Sequence, residues 1–416
     1  MSKPKHEDVL SALLDKANAS TLADLVRRLA AREPDIRREC FTYLKEHVSA
    51  SPDEEAKTEA EVARALWDEL DLDLEELDDY GGGDYALVDH VGGLLWDLKE
   101  HLEESEIPRE ERCALLDEVI PYIHSRNSGL EDALYDVAYA TCRDEADWRD
   151  LAERLETLGQ DWPCDHARRI YRRIGDREKF LELRQRRMEY GADYHDLATF
   201  YWDCGEKEKA LAVGKEGLDH AKGRMDELRN FMAARAKKAG DRVGYLDLQF
   251  AQATDRLSLS SYKAFKKECR KSEWEEYEPQ IIDALASAWE DDRLEIRMHR
   301  GEYVEALAIL SKMQYPHQSA FGGTRALKVA KQLETRFPGE ILSYYLSGLG
   351  NLNSSETRKV YAHKAGVAEK VRHMWVNVLK TPEEWEAFAR KVKEANARRP
   401  AFQEEFSNVV PDWKKI

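Results

Sequence analysis

Four glycines, each followed at once by an acidic residue, punctuate the middle of this chain: Gly175-Asp176, Gly205-Glu206, Gly240-Asp241 and Gly301-Glu302. Each closes a stretch with apolar residues at helical spacing, and another such stretch opens within a few positions. A helix that stops at glycine and restarts so soon is half of a helical hairpin. The glycines lie 30, 35 and 61 residues apart. The last gap is about two periods of a helix-pair repeat, so a degenerate turn is expected near Arg270-Lys271-Ser272-Glu273-Trp274. A helix pair of that length cannot bury its apolar face alone and must stack on its neighbours. The spacing therefore predicts an all-α chain, a right-handed α-solenoid of helical hairpins preceded by a small helical N-terminal domain.

Composition agrees with a helical, surface-rich protein, since 35% of the residues are charged and no long alternating Val/Ile/Thr run offers a sheet. The net charge of -18 opposes nucleic acid and anionic membranes and favours basic partners. The basic stretch Arg168, Arg169, Arg172, Arg173, Arg177, Arg184, Arg186 and Arg187 stands against that background. It reads as solvated helix faces paired with neighbouring acids. No apolar stretch approaches membrane-spanning length, and the N-terminus has no signal-like apolar core. Cysteines at 40, 113, 142, 164, 204 and 269 form no CxxC, which suggests reduced thiols and a cytoplasmic protein.

Periodicity divides the chain into a three-helix segment (1–50), a helical domain (58–160), the repeats (161–316) and C-terminal helical repeats (317–416). A polar linker is expected at 50–57, and an acidic then glycine-rich break at 71–83. Gly81-Gly82-Gly83 is read as a turn, because no lysine follows it and no strand precedes it as a phosphate loop requires. Helices are expected at 86–104, 109–125, 129–142 and 145–158, and later at 324–335, 339–350, 354–379 and 382–396, with Pro400 as punctuation.

Within the clearest repeat, Leu197, Ala198, Tyr201, Gly205, Ala210, Gly214 and Gly217 fall at offsets that resemble a tetratricopeptide unit. Small residues there let two helix backbones approach, and Tyr201 would fill the groove between units. Leu294, Arg297, Gly301, Ala306 and Leu310 repeat the pattern with an arginine at the aromatic position.

A second resemblance runs from Leu77 to Gly159. It is carried by Asp79-Tyr80-Gly81-Gly82, by Gly129-Leu130-Glu131-Asp132-Ala133-Leu134 and by the run from Arg143 through Trp148 to Leu155. Pro382-Glu383-Glu384-Trp385 and Arg398-Arg399-Pro400-Ala401-Phe402 extend it to the C-terminus. These segments resemble the helical region that follows the finger in SWIM zinc-finger proteins of bacteria and archaea. The finger's CxC is absent here and the lone CxH is Cys164-Asp165-His166, so the resemblance implies the helical partner region without its zinc site.

Catalytic signatures are sparse. His195-Asp196 matches the dipeptide of metal-dependent phosphohydrolases, with His166 and Asp219 as nominal further ligands, but it lies just before the clearest repeat and reads as a helix start. No nucleophile elbow, P-loop or His-Glu-x-x-His occurs. Most tryptophans sit among apolar residues and read as packing. The sequence thus predicts a noncatalytic scaffold, without metal or cofactor, that binds a protein or peptide partner on a concave surface. Tyr201, Trp202, Arg297 and His299 are its candidate contact residues. The alternative is a metal-dependent phosphohydrolase or nuclease accessory, or a nucleic-acid adaptor, acting with a separately encoded partner.

Overall fold

A computed structural model describes residues 9–48, 51–316 and 323–416, and the chain divides into two compact units, Met1–Met188 and Glu189–Ile416. The described residues are helical throughout, with one isolated bridge between Tyr190 and Lys222 and no strand.

In the first unit the helices are α1 (Val9–Leu14), α2 (Ala19–Ala30), α3 (Pro34–His47), α4 (Pro52–Tyr80), α5 (Tyr85–Glu104), α6 (Arg109–Ser125), α7 (Glu131–Ala140), α8 (Glu145–Thr157), α9 (Asp161–Ile174) and α10 (Arg177–Gln185). Helix α4 corrects two expectations. From Ser51 onward the supposed linker is the start of a helix, whose first turn is closed by the Ser51 amide donating to Glu54 Oε2 at 2.9 Å. The supposed acidic break is its continuation. Ala63, Leu66, Trp67, Leu70, Leu74 and Leu77 form one buried stripe at helical spacing, while the intervening acids point away from it. The helix ends only at Gly81, whose φ of 73° is the left-handed conformation glycine adopts without penalty. Helices α3, α5 and α6 pack around α4, α5 and α6 both meet α7, and α8 leads through α9 to α10.

A polar knot ties the ends of α5 through α8 together. Arg112 is buried; its Nη1 donates to Asp147 Oδ2 at 2.5 Å and to the Thr141 carbonyl, and its Nε donates to the Ile107 carbonyl at 3.1 Å. Asp147 also accepts from the Arg143 amide at 3.0 Å and pairs with Arg109 Nε at 2.9 Å. Arg143 in turn donates to the carbonyls of Leu102 and Ser105. Orphaned carbonyls at helix ends are thus satisfied by two guanidinium groups.

The second unit comprises α11 (Gly191–Asp203), α12 (Lys207–His220), α13 (Asp226–Ala239), α14 (Arg242–Asp255), α15 (Leu259–Glu268), α16 (Lys271–Ala284), α17 (Glu290–Arg300), α18 (Tyr303–Leu310), α19 (Gly323–Leu333), α20 (Pro338–Ser347), α21 (Arg358–His373), α22 (Pro382–Ala395) and α23 (Pro400–Val409). The four glycine turns are built alike. Gly175, Gly205, Gly240 and Gly301 have φ between 76° and 82°. The acidic residue that follows each donates its amide back to the carbonyl of Tyr171, Tyr201, Ala236 or Arg297, at 2.9–3.0 Å. This is the six-residue closure of a Schellman motif, repeated four times. Asp176 and Asp241 then cap the next helix, their carboxylates accepting from the amides of Lys179 and Gly244 at 3.1 and 2.9 Å. The degenerate turn lies at Cys269-Arg270, without glycine, and is fastened by the Arg270 amide on Glu273 at 2.6 Å.

Helices pair along the chain, α11 with α12, α13 with α14 and α17 with α18. First helices also pack on one another, α11 on α13, α15 on α17 and α17 on α19. The small residues of the clearest repeat permit this. Ala198 and Ala210 are fully buried, a Cβ on Gly217 would lie 2.5 Å from Tyr194 Cβ, and one on Gly214 would overlap Met232. The all-α hairpin expectation therefore holds.

Toward the C-terminus α21 runs into a π-helical turn at Met374–Leu379, which stops at Lys380 with φ 61°. Pro400 stands at a helix boundary, as expected, but a further helix follows it. It begins α23 at the position where a missing amide costs nothing, and Phe402 and Phe406 of that helix, with Trp413, close the core against α21. The sequence also marks Tyr315 to Gly323 as an irregular unit boundary, and of that stretch residues 317–322 lie outside the described residues.

Candidate partner-binding face

The candidate contact residues lie on the first helices of hairpins in the second unit, in two places. On α11, Tyr201 is buried, so its ring packs within the unit rather than meeting a partner. Trp202 beside it is half-buried. Its ring stands edge-on to Phe231 of α13 at 6.0 Å, and the Arg235 guanidinium lies over both, 4.6 Å from the Trp202 centroid and 3.6 Å from that of Phe231. His195, two turns before Trp202, meets the other side of Phe231 at 5.9 Å. The result is a row of edge-on rings and one cation across α11 and α13. Arg235 donates to the Phe231 carbonyl at 3.1 Å, while its buried Nε has no hydrogen-bond partner. Burial pulls this guanidinium below its ordinary pKa.

Arg235 was not legible as a contact residue in the sequence. The signal was its spacing of four from Phe231, which places it on the same face of α13 one turn on.

The second place is α17. Arg297, at the position homologous to Tyr201, is committed to Glu302 at 2.5 Å, and Arg300 holds the same carboxylate at 2.7 Å. Burial pushes the Glu302 carboxyl up, but the two arginines outweigh it and hold it below the usual range. Arg297 is therefore a turn-fastening residue that also lines a groove of about 440 Å³ with Glu290, Arg293 and Glu305. His299 is exposed, its ring edge-on to Tyr262 of α15 at 6.0 Å. Burial, then Lys263, Lys266 and Arg300, lower its pKa. Tyr201 and Trp202 on the one hand, and Arg297 and His299 on the other, belong to different hairpins and are not gathered into one pocket.

The arginine-rich stretch of the first unit is engaged within the unit. Arg168 pairs with Asp165, Arg186 with Glu182 and Glu156, and Arg187 with Asp161, while Arg173 lies 3.9 Å over Trp148 and Arg169 5.7 Å from Trp162. Its charge is largely met by acids and ring faces, as the helical spacing implied.

His195 lies 3.9 Å from Glu227, on the packed face of α11. Cys142 directs its sulfur at the Ala138 carbonyl at 3.7 Å, and Cys164 directs its own at Glu156 O at 4.0 Å. His166 is buried between aromatic rings, stacked on Tyr135 at 3.7 Å with Tyr139 Oη against its Nδ1. Burial, then the charge of Arg169, lowers its pKa to about 4. Among the described residues, no three His, Cys, Asp or Glu side chains converge as metal ligands, and no helix is long and apolar enough to cross a membrane.

No family model matches this chain, and no curated protein does. A solved structure described as a circular tandem repeat protein with novel repeat topology and enhanced subunit contact surfaces is similar at 15% identity, covering 95% of this chain and 84% of that one, with a TM-score of 0.20. At that score the architecture rests on the helices of this chain itself.

Proposed function

We propose that this protein is a noncatalytic helical-repeat scaffold that binds a protein or peptide partner along the first helices of its hairpins. The observation that carries the reading is the half-buried row of Trp202, Arg235 and Phe231 across α11 and α13. An indole and a guanidinium held rigidly at a surface are the groups that most often dominate protein interfaces, because they offer large contact area at little entropic cost. Stacked hairpins supply an extended surface on which such groups recur at fixed intervals. In line with the SWIM-like segments, the partner is a separately encoded protein, and the chain supplies its helical support.

The test is affinity purification of the tagged full chain from its host, with nuclease treatment, in wild-type and Trp202→Ala forms. A stoichiometric partner whose affinity falls at least about 30-fold on loss of the indole, equivalent to about 2 kcal/mol, supports the reading. A partner retained equally by the variant, or no partner at all, defeats it.

A further inference from the structure

Charge is segregated between the two layers of the hairpins from α15 to α20, though not in the hairpin of α11 and α12. The first helices α15, α17 and α19 carry nine Lys and Arg against five Asp and Glu, whereas their second helices α16, α18 and α20 carry one against seven. A net charge of -18 conceals this.

Part of this first-helix charge lies away from Arg297 and Arg300, which are tied to Glu302 and Glu278. Lys263 and Lys266 of α15 act electrostatically on His299 of α17, with no carboxylate among the groups that shift that histidine. Farther along the same stripe of α17, Asp292 and Glu295 are spanned by Arg325 of α19, at 3.1 and 3.9 Å. One turn beyond Arg325, Lys328 is exposed and pairs with no acid among the described residues. Asp292 and Glu295 are thus already engaged, burial pushes the Asp291 carboxyl beside Arg325 up, and the two ends carry exposed lysines, Lys266 with its ammonium 5.0 Å from the Trp274 ring. Because α15 packs on α17 and α17 on α19, the strip is continuous across three helices.

Resting on the scaffold reading, we infer that the surface of α15, α17 and α19 is the docking strip for an acidic, extended segment of a protein partner. Three helix axes about 9 Å apart are crossed in about 20 Å, which an extended chain of about six residues spans. Carboxylates on such a segment meet Lys263, Lys266 and Lys328 without displacing the Arg325 pairs. Nucleic acid is the poorer fit. A polyanion extends well past the strip into the field of the acidic second helices, whose repulsion acts over about 10 Å at ordinary salt.

The experiment uses the full chain and a fluorescein-labelled oligoglutamate of about eight residues, long enough to cross the strip, read by anisotropy at low salt, with oligo-dT in parallel. Reversal at Lys263→Glu, Lys266→Glu and Lys328→Glu together is expected to weaken oligoglutamate binding by at least about tenfold. The milder Gln replacements are expected to weaken it less, and reversal of Lys215 and Lys271 on second helices to leave it unchanged. Equal binding by the triple and control variants overturns the assignment, as does oligo-dT binding more tightly than oligoglutamate through the same lysines. A native partner retained equally by wild type and triple variant, yet lost with Trp202→Ala, refutes the acidic strip while leaving the scaffold intact. Absence of any native partner defeats the scaffold itself.

Discussion

The buried Arg112–Asp147 pair offers the sharpest test of how the first unit is held together. Replacing Arg112 by Met keeps the aliphatic volume but removes three donated hydrogen bonds, to Asp147, Thr141 O and Ile107 O. Breaking one side of a buried pair typically costs about 3–5 kcal/mol, because the remaining charge and carbonyls stay desolvated. Asp147 keeps Arg109 and the Arg143 amide, so the lower end, about 3 kcal/mol, is expected. Against a total stability of about 5–15 kcal/mol for a domain, the loss is large. Urea unfolding followed by far-ultraviolet circular dichroism measures it. A double cycle with Asp147→Asn isolates the pair and should return a coupling of about 1–3 kcal/mol. Strictly additive single mutants would refute the idea that this pair, rather than packing alone, fastens α6 to α8. Acid gives an independent reading. Burial raises the Asp147 carboxyl, but Arg112, the Arg143 amide and Arg109 outweigh it, so the net shift is downward. A carboxyl depressed in the folded state contributes stability that is present above its unfolded pKa, near 3.8, and is lost as pH falls through the lower folded value. Asp147→Asn should flatten the acid limb below pH about 4.

Other outcomes follow from the same geometry. His166 is held neutral to about pH 4 by burial, so the unfolded chain takes up its proton first, and stability should decline as pH falls from about 6.5 toward 4, by at most about 3 kcal/mol. His166→Phe, which can keep the stack on Tyr135, should remove that slope in a series of denaturation curves. Gly217→Ala should cost about 1–3 kcal/mol by overpacking against Tyr194 and Leu228, read as a lowered Tm; an unchanged Tm would mean the α11–α12 approach is looser than described. Under native conditions an alkylating reagent should label Cys204, the exposed thiol, first and Cys142 last, since Cys142 is buried and its pKa is pushed up to about 12. Peptide mass spectrometry over time gives the order directly.

Local information settled the helices and their turns. Glycine followed by an acid is a backbone instruction, a left-handed residue whose successor closes the turn, with a side-chain cap where the acid is Asp176 or Asp241, and it operates within six residues, so all four turns were legible. So was the need for small side chains at Ala198, Ala210, Gly214 and Gly217. The acidic break that α4 overturned and the helix missed after Pro400 have a related cause. Asp71 to Asp79 looks like a break because its acids are dense, and Pro400 looks like a stop. Yet an apolar stripe of Leu70, Leu74 and Leu77 continues a helix regardless of what faces water, and a proline is as suited to a first turn as to a boundary. Which of the candidate side chains are exposed was beyond the sequence, because exposure depends on the neighbouring helix. Tyr201 is covered and Trp202 is not, although they are adjacent, and Arg297 is consumed by Glu302. The sequence by itself determined hairpins, period and net charge. Only the tertiary structure decided that Arg235 lies over both Trp202 and Phe231 and that Arg325 of α19 spans Asp292 and Glu295 of α17, because those relations join residues tens of positions apart through packing that no local pattern encodes.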